Sequence, residues 1–179
     1  MARILLLYST TDGHTRRIAE VMATQWRAAE HEVLVHDVSL PLRSALSSFD
    51  AVVLGASVRG GRHQVFASEF VGAHLEELQQ MPSAFFSVNL QARTPPKDTA
   101  EGNPHLQQFL ASTPWRPSLV TVFAGKLDMR RYRWKDRLMA MSAMWATGDR
   151  VWPWSVREYT DWAAVRAFAE AITQAEAAT

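Results

Sequence analysis

No cysteine occurs anywhere in the chain, which removes disulfides, a thiolate nucleophile and Cys-ligated iron–sulfur clusters from consideration. Any redox chemistry then has to come from a bound organic cofactor. Long apolar runs are also missing: no stretch approaches the roughly 20 residues that cross a bilayer. The run from Ile4 to Tyr8 is too short for the apolar part of a secretory signal and empties into a polar turn, so we expect neither a signal peptide nor a transmembrane segment. Surplus charge is scarce. A formal net charge of +1 argues against a dedicated nucleic-acid binder. The six histidines are scattered without ligand spacing, so no metal site is expected. What is present, 47% hydrophobic and 21% charged over 179 residues, fits one globular domain, 1–179, with a real core.

Five short apolar runs, RILLLY (3–8), HEVLVHDV (31–38), AVVLGAS (51–57), SAFFSVNL (83–90) and SLVTVFAG (118–125), each end in a polar or glycine-bearing turn. Between them apolar residues recur at helical spacing: Ile18, Val21, Met22 and Trp26; then Phe66, Phe70, Val71, Leu75 and Leu78; then Leu106, Phe109 and Leu110. Strands apolar on both faces, alternating with helices, imply a parallel sheet covered on each side. The connection over 40–50 is short and carries Pro41. A last helix is expected over 161–176 with Thr160 as its cap. In such sheets ligands sit beyond the carboxyl ends of the strands, which directs attention to the strand-to-helix turns.

Three turns are unusual. STTDGHT (9–15) offers the hydroxyls of Thr10, Thr11 and Thr15, a glycine at 13, and the unpaired amides of a helix start. An ordinary cap by Thr11 or Asp12 and a pocket for an anion both explain it. No Gly-Lys-Ser/Thr follows and no G-x-G-x-x-G is present, which excludes the two common nucleotide loops. GASVRGGRHQ (55–64) carries Gly55, Gly60 and Gly61, whose freedom suits a loop folded against a planar ligand. It nearly matches a nucleophile elbow, but Arg59 stands where that motif needs glycine. SVNLQARTPPKD (87–98) holds Asn89 and Gln91, side chains that donate and accept hydrogen bonds.

Residues 126–137 hold six basic residues against Asp128 and Asp136, a local +4 in a chain of total +1. Trp134, Leu138, Met141 and Trp145 follow at spacings of four, three and four. That is one helical face, either packed on the core or presented to a membrane surface.

Over positions 6–19 the chain resembles the flavodoxin signature, carried by Leu6, Leu7, Tyr8, Thr10, Gly13, Thr15 and Ala19. Further runs, VLGAS, MPSAFFSVNLQARTP (81–95), TPWRP (113–117), AGKLDMRRYRWKDRLM (124–139) and EYTDW (158–162), are similar to the flavodoxin-type, quinone-dependent protoporphyrinogen oxidases of bacterial haem synthesis. The resemblance spans nearly the whole chain. It implies an α/β flavodoxin-like fold, with a five-stranded parallel sheet in the order 2-1-3-4-5, helices on both faces, and an insertion (126–150) in the fifth-strand region. It further implies FMN as cofactor, protoporphyrinogen IX as substrate oxidised in three two-electron rounds, and menaquinone or ubiquinone as acceptor. The expected place is the cytoplasmic face of the inner membrane, in peripheral contact with its anionic surface. A flavodoxin-like electron carrier or FMN quinone reductase is the alternative. The FMN residues so implied are Ser9, Thr10, Thr11, Asp12, Gly13, His14 and Thr15 at the phosphate; Ala56, Ser57, Val58, Arg59 and Gly60; and Ser87, Val88, Asn89, Leu90, Gln91 and Ala92. Arg93, Arg130, Arg131, Arg133 and Trp134, with Arg59, are candidates for substrate carboxylates or membrane. His14 and His63 are expected near the flavin. The chain departs from the family pattern at Gly60, Gly61, Arg62 and His63, where an aromatic and an extra imidazole are usual.

Overall fold

The computed structural model describes residues 1–177. Strand β1 (Arg3–Ser9) leads into helix α1 (His14–Ala28), followed by β2 (Glu32–Asp37), β3 (Ala51–Arg59), the two-residue β4 (Arg62–His63), α2 (Val65–Ala73) and α3 (Leu75–Gln79). Then come β5 (Ser83–Asn89), α4 (Pro104–Ala111), β6 (Leu119–Ala124), β7 (Lys126–Asp128), α5 (Trp134–Ala146), β8 (Val156–Glu158) and α6 (Trp162–Ala177). The parallel sheet runs β2-β1-β3-β5-β6, with β4 hairpinned onto the end of β3. Counting only the parallel strands, this is the expected order 2-1-3-4-5.

Side chains alternate across a strand, so β1 feeds two cores. Ile4, Leu6 and Tyr8 pack with Ile18, Met22 and Trp26 of α1 and Val165, Ala169 and Ile172 of α6. Leu5 and Leu7 pack on the opposite face with Val71 of α2, Leu78 of α3, and Leu106 and Phe109 of α4. Trp26 is almost wholly buried, and its indole N–H donates to the Ala169 carbonyl at 2.9 Å. That bond lets a polar atom enter the core without the cost of an unmade hydrogen bond.

Three local expectations change. The stripe from Phe66 to Leu78 is two helices, because His74 (φ −120°, ψ 24°) leaves the helical region. The connection over 40–50 forms only a short 3-10 turn at Leu46–Ser48. Helix α6 is capped by Asp161, whose Oδ1 accepts from the amides of Ala163 and Ala164. Thr160 is not the cap, because its hydroxyl is engaged by the Ala124 carbonyl and by His14.

After β6 the chain makes an excursion. Strands β7 and β8 pair antiparallel and close it, so this unit runs from Lys126 to Glu158. It has its own small core of Leu127, Met129, Met144 and Val151. No helix among the described residues is long and apolar enough to cross a membrane.

Candidate functional site

Sheet register sets the suspect turns side by side. Ser9 lies opposite Ala56, Ser57 opposite Val88, and Asn89 opposite Ala124. The loops after β1, β3 and β5 therefore leave one edge together and border a cleft of about 460 Å³, within the roughly 300–1,000 Å³ range of small-molecule sites.

In the first loop no side chain caps α1; Gly13, at φ 84°, is its N-cap residue, and neither Thr11 nor Asp12 takes that place. The Thr10 hydroxyl oxygen accepts from the Gly13 amide, and that of Thr11 accepts from Gln64 Nε2. Each threonine has therefore used an acceptor site and keeps its own O–H proton to donate. Thr15 is fully buried, and its Oγ1 has no partner. Three hydroxyl donors and the first amides of a helix make a strong anion seat. The one carboxylate in the loop, Asp12, is held by Arg59 at 3.0 and 3.2 Å, which offsets its repulsion of an anion.

The second loop is a β-hairpin. Gly60 and Gly61 both have positive φ, as a two-residue hairpin turn requires. Gly55 answers to packing instead: a Cβ there would lie 2.0 Å from the Phe86 ring. His63 leaves the cleft and sits edge-on to Phe85 and Phe109, bonded to Ser87 Oγ at 2.8 Å. Burial, with a smaller contribution from His105, pushes it down to about 4, so it is neutral at pH 7.

The third loop divides its two amides. Asn89 is consumed internally, bonding Ser87, Asn103 and the Ala92 amide. Its expected role at a flavin edge is taken from it by this network. Gln91 Oε1, by contrast, is buried without a partner and lines the cleft. Ser57 Oγ, in the second loop, is likewise buried and unpartnered. Each of the three loops thus brings to the lining of the same cleft one residue with a buried, unpartnered polar atom: Thr15, Ser57 and Gln91. Buried polar groups are seldom left unmade, and a ligand with a phosphate and a polar flat ring would satisfy them.

Thr10, Thr11, Asp12, His14, Thr15, Ser57, Val58, Arg59, Gly60, Val88, Asn89, Leu90 and Gln91 line this cleft. Five other expected residues support it from behind. Ser9 is tied to Gln64, Gly13 shapes the turn, Ala56 and Ala92 are core, and Ser87 is tied to His63 and Asn89. Of the residues assigned to substrate or membrane, Arg59 alone reaches the cleft wall, and it is paired with Asp12. Arg93 is almost wholly buried, its guanidinium given to Asp149, Thr147 and the Leu90 carbonyl. It fastens the insertion and offers nothing to a substrate. Arg130 is held by both oxygens of Asp128, and Arg131 donates to the Asp12 carbonyl. Arg133 and Trp134 are exposed at the start of α5.

Several cleft residues escape sequence reasoning. Lys126, Tyr132, Asp136, Met139 and Ala140 come from the insertion, and His105 and Gly125 from elsewhere. The three-residue step from Asp136 to Met139 was a usable signal, since it marks a second stripe of α5 beside that of Trp134, whereas Tyr132 precedes the helix in extended backbone. Tyr132 also stacks under the Arg59 guanidinium at 5.0 Å, which binds the inserted unit to the second loop. Its phenol is raised by burial.

Comparison with known proteins agrees with this architecture. The Flavodoxin domain family matches residues 5–151. A protein of Leishmania major named protoporphyrinogen IX dehydrogenase (quinone) is 44% identical over 93% of this chain and 73% of its own length. One of the same name from Escherichia coli K12 is 39% identical over 95% of this chain and 94% of its own. Among solved structures, an archaeal flavodoxin superposes with a TM-score of 0.51 at 14% identity over 96% of this chain and 99% of that one. A short-chain flavodoxin associated with a bacterial microcompartment reaches 0.54 at 12% identity, over 98% and 99%. The flavodoxin domain implies FMN binding, and the three orphaned atoms fit that ligand. With a flavodoxin fold, a cleft built for a phosphate and a flat ring, and these relatives across almost its whole length, the chain belongs to the flavodoxin-domain family of quinone-dependent protoporphyrinogen IX dehydrogenases.

Proposed function

We propose that this protein binds FMN and oxidises protoporphyrinogen IX to protoporphyrin IX, with a membrane quinone, menaquinone or ubiquinone, as final acceptor. The observation that carries the reading is the cleft itself. Its polar floor fits a flavin, and its opposite wall is supplied by an insertion that an electron carrier does not need. Thr10, Thr11, Thr15 and the first amides of α1 would hold the phosphate, and Ser57 and Gln91 the ring. When bound, the flavin supplies two-electron redox chemistry.

The chain's own groups have distinct tasks. Asp136 is the cleft carboxylate that the neighbouring arginines leave alone. Arg130 goes to Asp128, Arg131 to the Asp12 carbonyl and Arg137 to the carbonyls of Met129, Arg130 and Tyr132. We assign to it the proton that the substrate gives up in each round, two of the three coming in sum from pyrrole N–H groups and the third from a bridging carbon. Met139, Ala140 and Tyr132 give the macrocycle an apolar wall. Lys126 and the exposed Arg133 suit its propionates.

The inserted unit also supports peripheral contact with an anionic membrane at the cytoplasmic face. Trp134, Leu138, Met139, Trp145, Trp152 and Trp154 are each more than half exposed. Trp145, Trp152 and Trp154 form a continuous aromatic ledge, with centroids 6.3 and 6.0 Å apart, beside exposed Arg133 and Lys135. Such a mixture of basic and aromatic surface suits an interface.

The test is to load purified protein with FMN and follow porphyrin fluorescence from the porphyrinogen anaerobically, with and without quinone. Quinone-dependent porphyrin formation is expected. Flavin binding without it would support an electron carrier instead, and absence of flavin binding would overturn the reading entirely.

A further inference from the structure

The phosphate seat contains an imidazole whose tautomer the structure determines. Thr160 has one hydroxyl proton. Its Oγ1 lies 2.7 Å from the Ala124 carbonyl oxygen, which can only accept, so the proton goes there. The same Oγ1 lies 2.6 Å from His14 Nε2. Having given its proton away, Thr160 accepts, and His14 must carry its hydrogen on Nε2. In the neutral ring the lone pair is then on Nδ1.

His14 is the first residue of α1, lines the cleft, and is only 9% exposed. It stands beside the helix amides and next to Thr15, whose buried hydroxyl has no partner. No acidic side chain lies in the first turn of α1 to occupy that seat. The nearby cations of the loop and helix are already engaged: Arg59 with Asp12, Arg17 with Glu158 at 2.7 Å, and Arg16 with Glu20.

We propose that His14 is a proton-coupled phosphate ligand: arrival of the FMN phosphate draws a proton from solvent onto Nδ1, and the imidazolium then adds a positive charge to the seat. The proposal rests on the FMN reading above. No bond other than N–H forms, and the Nε2 contact to Thr160 is kept in both states. In the free protein His14 is held below its ordinary value of 6.5. Burial is the main cause; Arg17 from α1 and Lys126 from β7 act in the same direction, and Glu158 from β8 opposes them. A dianion beside the ring acts in the same direction as Glu158 and carries more charge. Affinity for FMN should therefore rise as pH falls through the window between the bound and free values, up to tenfold per pH unit, and be flat outside it.

The experiment is calorimetric titration of the apoprotein with FMN at pH 7.5 in two non-phosphate buffers of different ionisation enthalpy. At that pH the phosphate ester, with its second ionisation near 6, is already a dianion. We expect net proton uptake with FMN, none with riboflavin, which lacks the phosphate, and none with FMN in His14→Gln. Riboflavin binding by the variant reports that it is folded. Imidazole nitrogen resonances of the wild-type protein, titrated with and without FMN, give the same answer without a variant; the His14 midpoint should move up. FMN binding with no proton uptake, uptake that persists in His14→Gln, or an unmoved His14 midpoint overturns the proposal and leaves the FMN reading standing. Failure of the wild type to bind FMN overturns both.

Discussion

Among the described residues, seventeen buried apolar side chains pack on one face of the sheet and sixteen on the other, whereas the unit from β7 to β8 packs four of its own. Apolar burial contributes in proportion to area, so the sheet holds its shape by its core and the inserted unit by its fastenings. Those fastenings are polar and specific: Arg93 to Asp149, Arg131 to the Asp12 carbonyl, Arg17 to Glu158, and Arg59 over Tyr132. The contrast teaches a division of labour. The sheet gives the cleft a rigid floor, and a lightly anchored unit gives it residues of the opposite wall.

The comparison breaks most severely at Trp26. Trp26→Ala should cost ~3–5 kcal/mol of global stability, read by urea unfolding, because it opens a cavity and removes the indole bond to the Ala169 carbonyl. An equal loss from Met144→Ala, without separate opening of the inserted unit in hydrogen exchange, would refute the division. A second large effect concerns acid. His63 titrates near 4 when folded and near 6.5 when unfolded, so the unfolded chain binds the proton first. Stability from this group is complete above pH 6.5, falls as pH drops toward 4, and levels below that, by about 3 kcal/mol in all. His63→Asn should flatten that limb of the unfolding profile.

The wall gives smaller effects of another kind. Asp136→Asn should slow porphyrin formation by ~10²-fold, the lower end for loss of a positioned proton acceptor, while FMN affinity stays unchanged. A parallel fall in flavin binding would make Asp136 part of the seat. Smallest is Arg133→Gln, which should weaken sedimentation with anionic vesicles about fivefold, since each basic residue near such a surface contributes roughly 1 kcal/mol. Unaltered sedimentation would leave the aromatic ledge without its electrostatic half.

Much of the fold was legible because its signals are local. The apolar runs and their polar ends locate all five parallel strands to within two residues at either end, and period-2 alternation in β1 accounts for both cores. STTDGHT was legible for the same reason as a turn that suits either a helix cap or an anion. The supporting cast was not. Nothing near Asn89 in sequence announces that Asn103 will close on it, and nothing near Thr160 announces that its hydroxyl is claimed by Ala124 and His14. Arg93 and Arg130 looked available because basic side chains in loops usually are; only folding brings Asp149 to Arg93, and only the turn at Met129 folds Arg130 back on Asp128.

By itself the sequence determined the five parallel strands, the family, and the three turns that border the cleft, since propensity, periodicity and motif are properties of neighbours along the chain. Tertiary structure decided which polar atoms in those turns remain unsatisfied, which arginines are already committed, and which nitrogen of His14 bears the proton. Those outcomes depend on partners that the sequence leaves dozens of residues apart and that the sheet register brings within bonding distance.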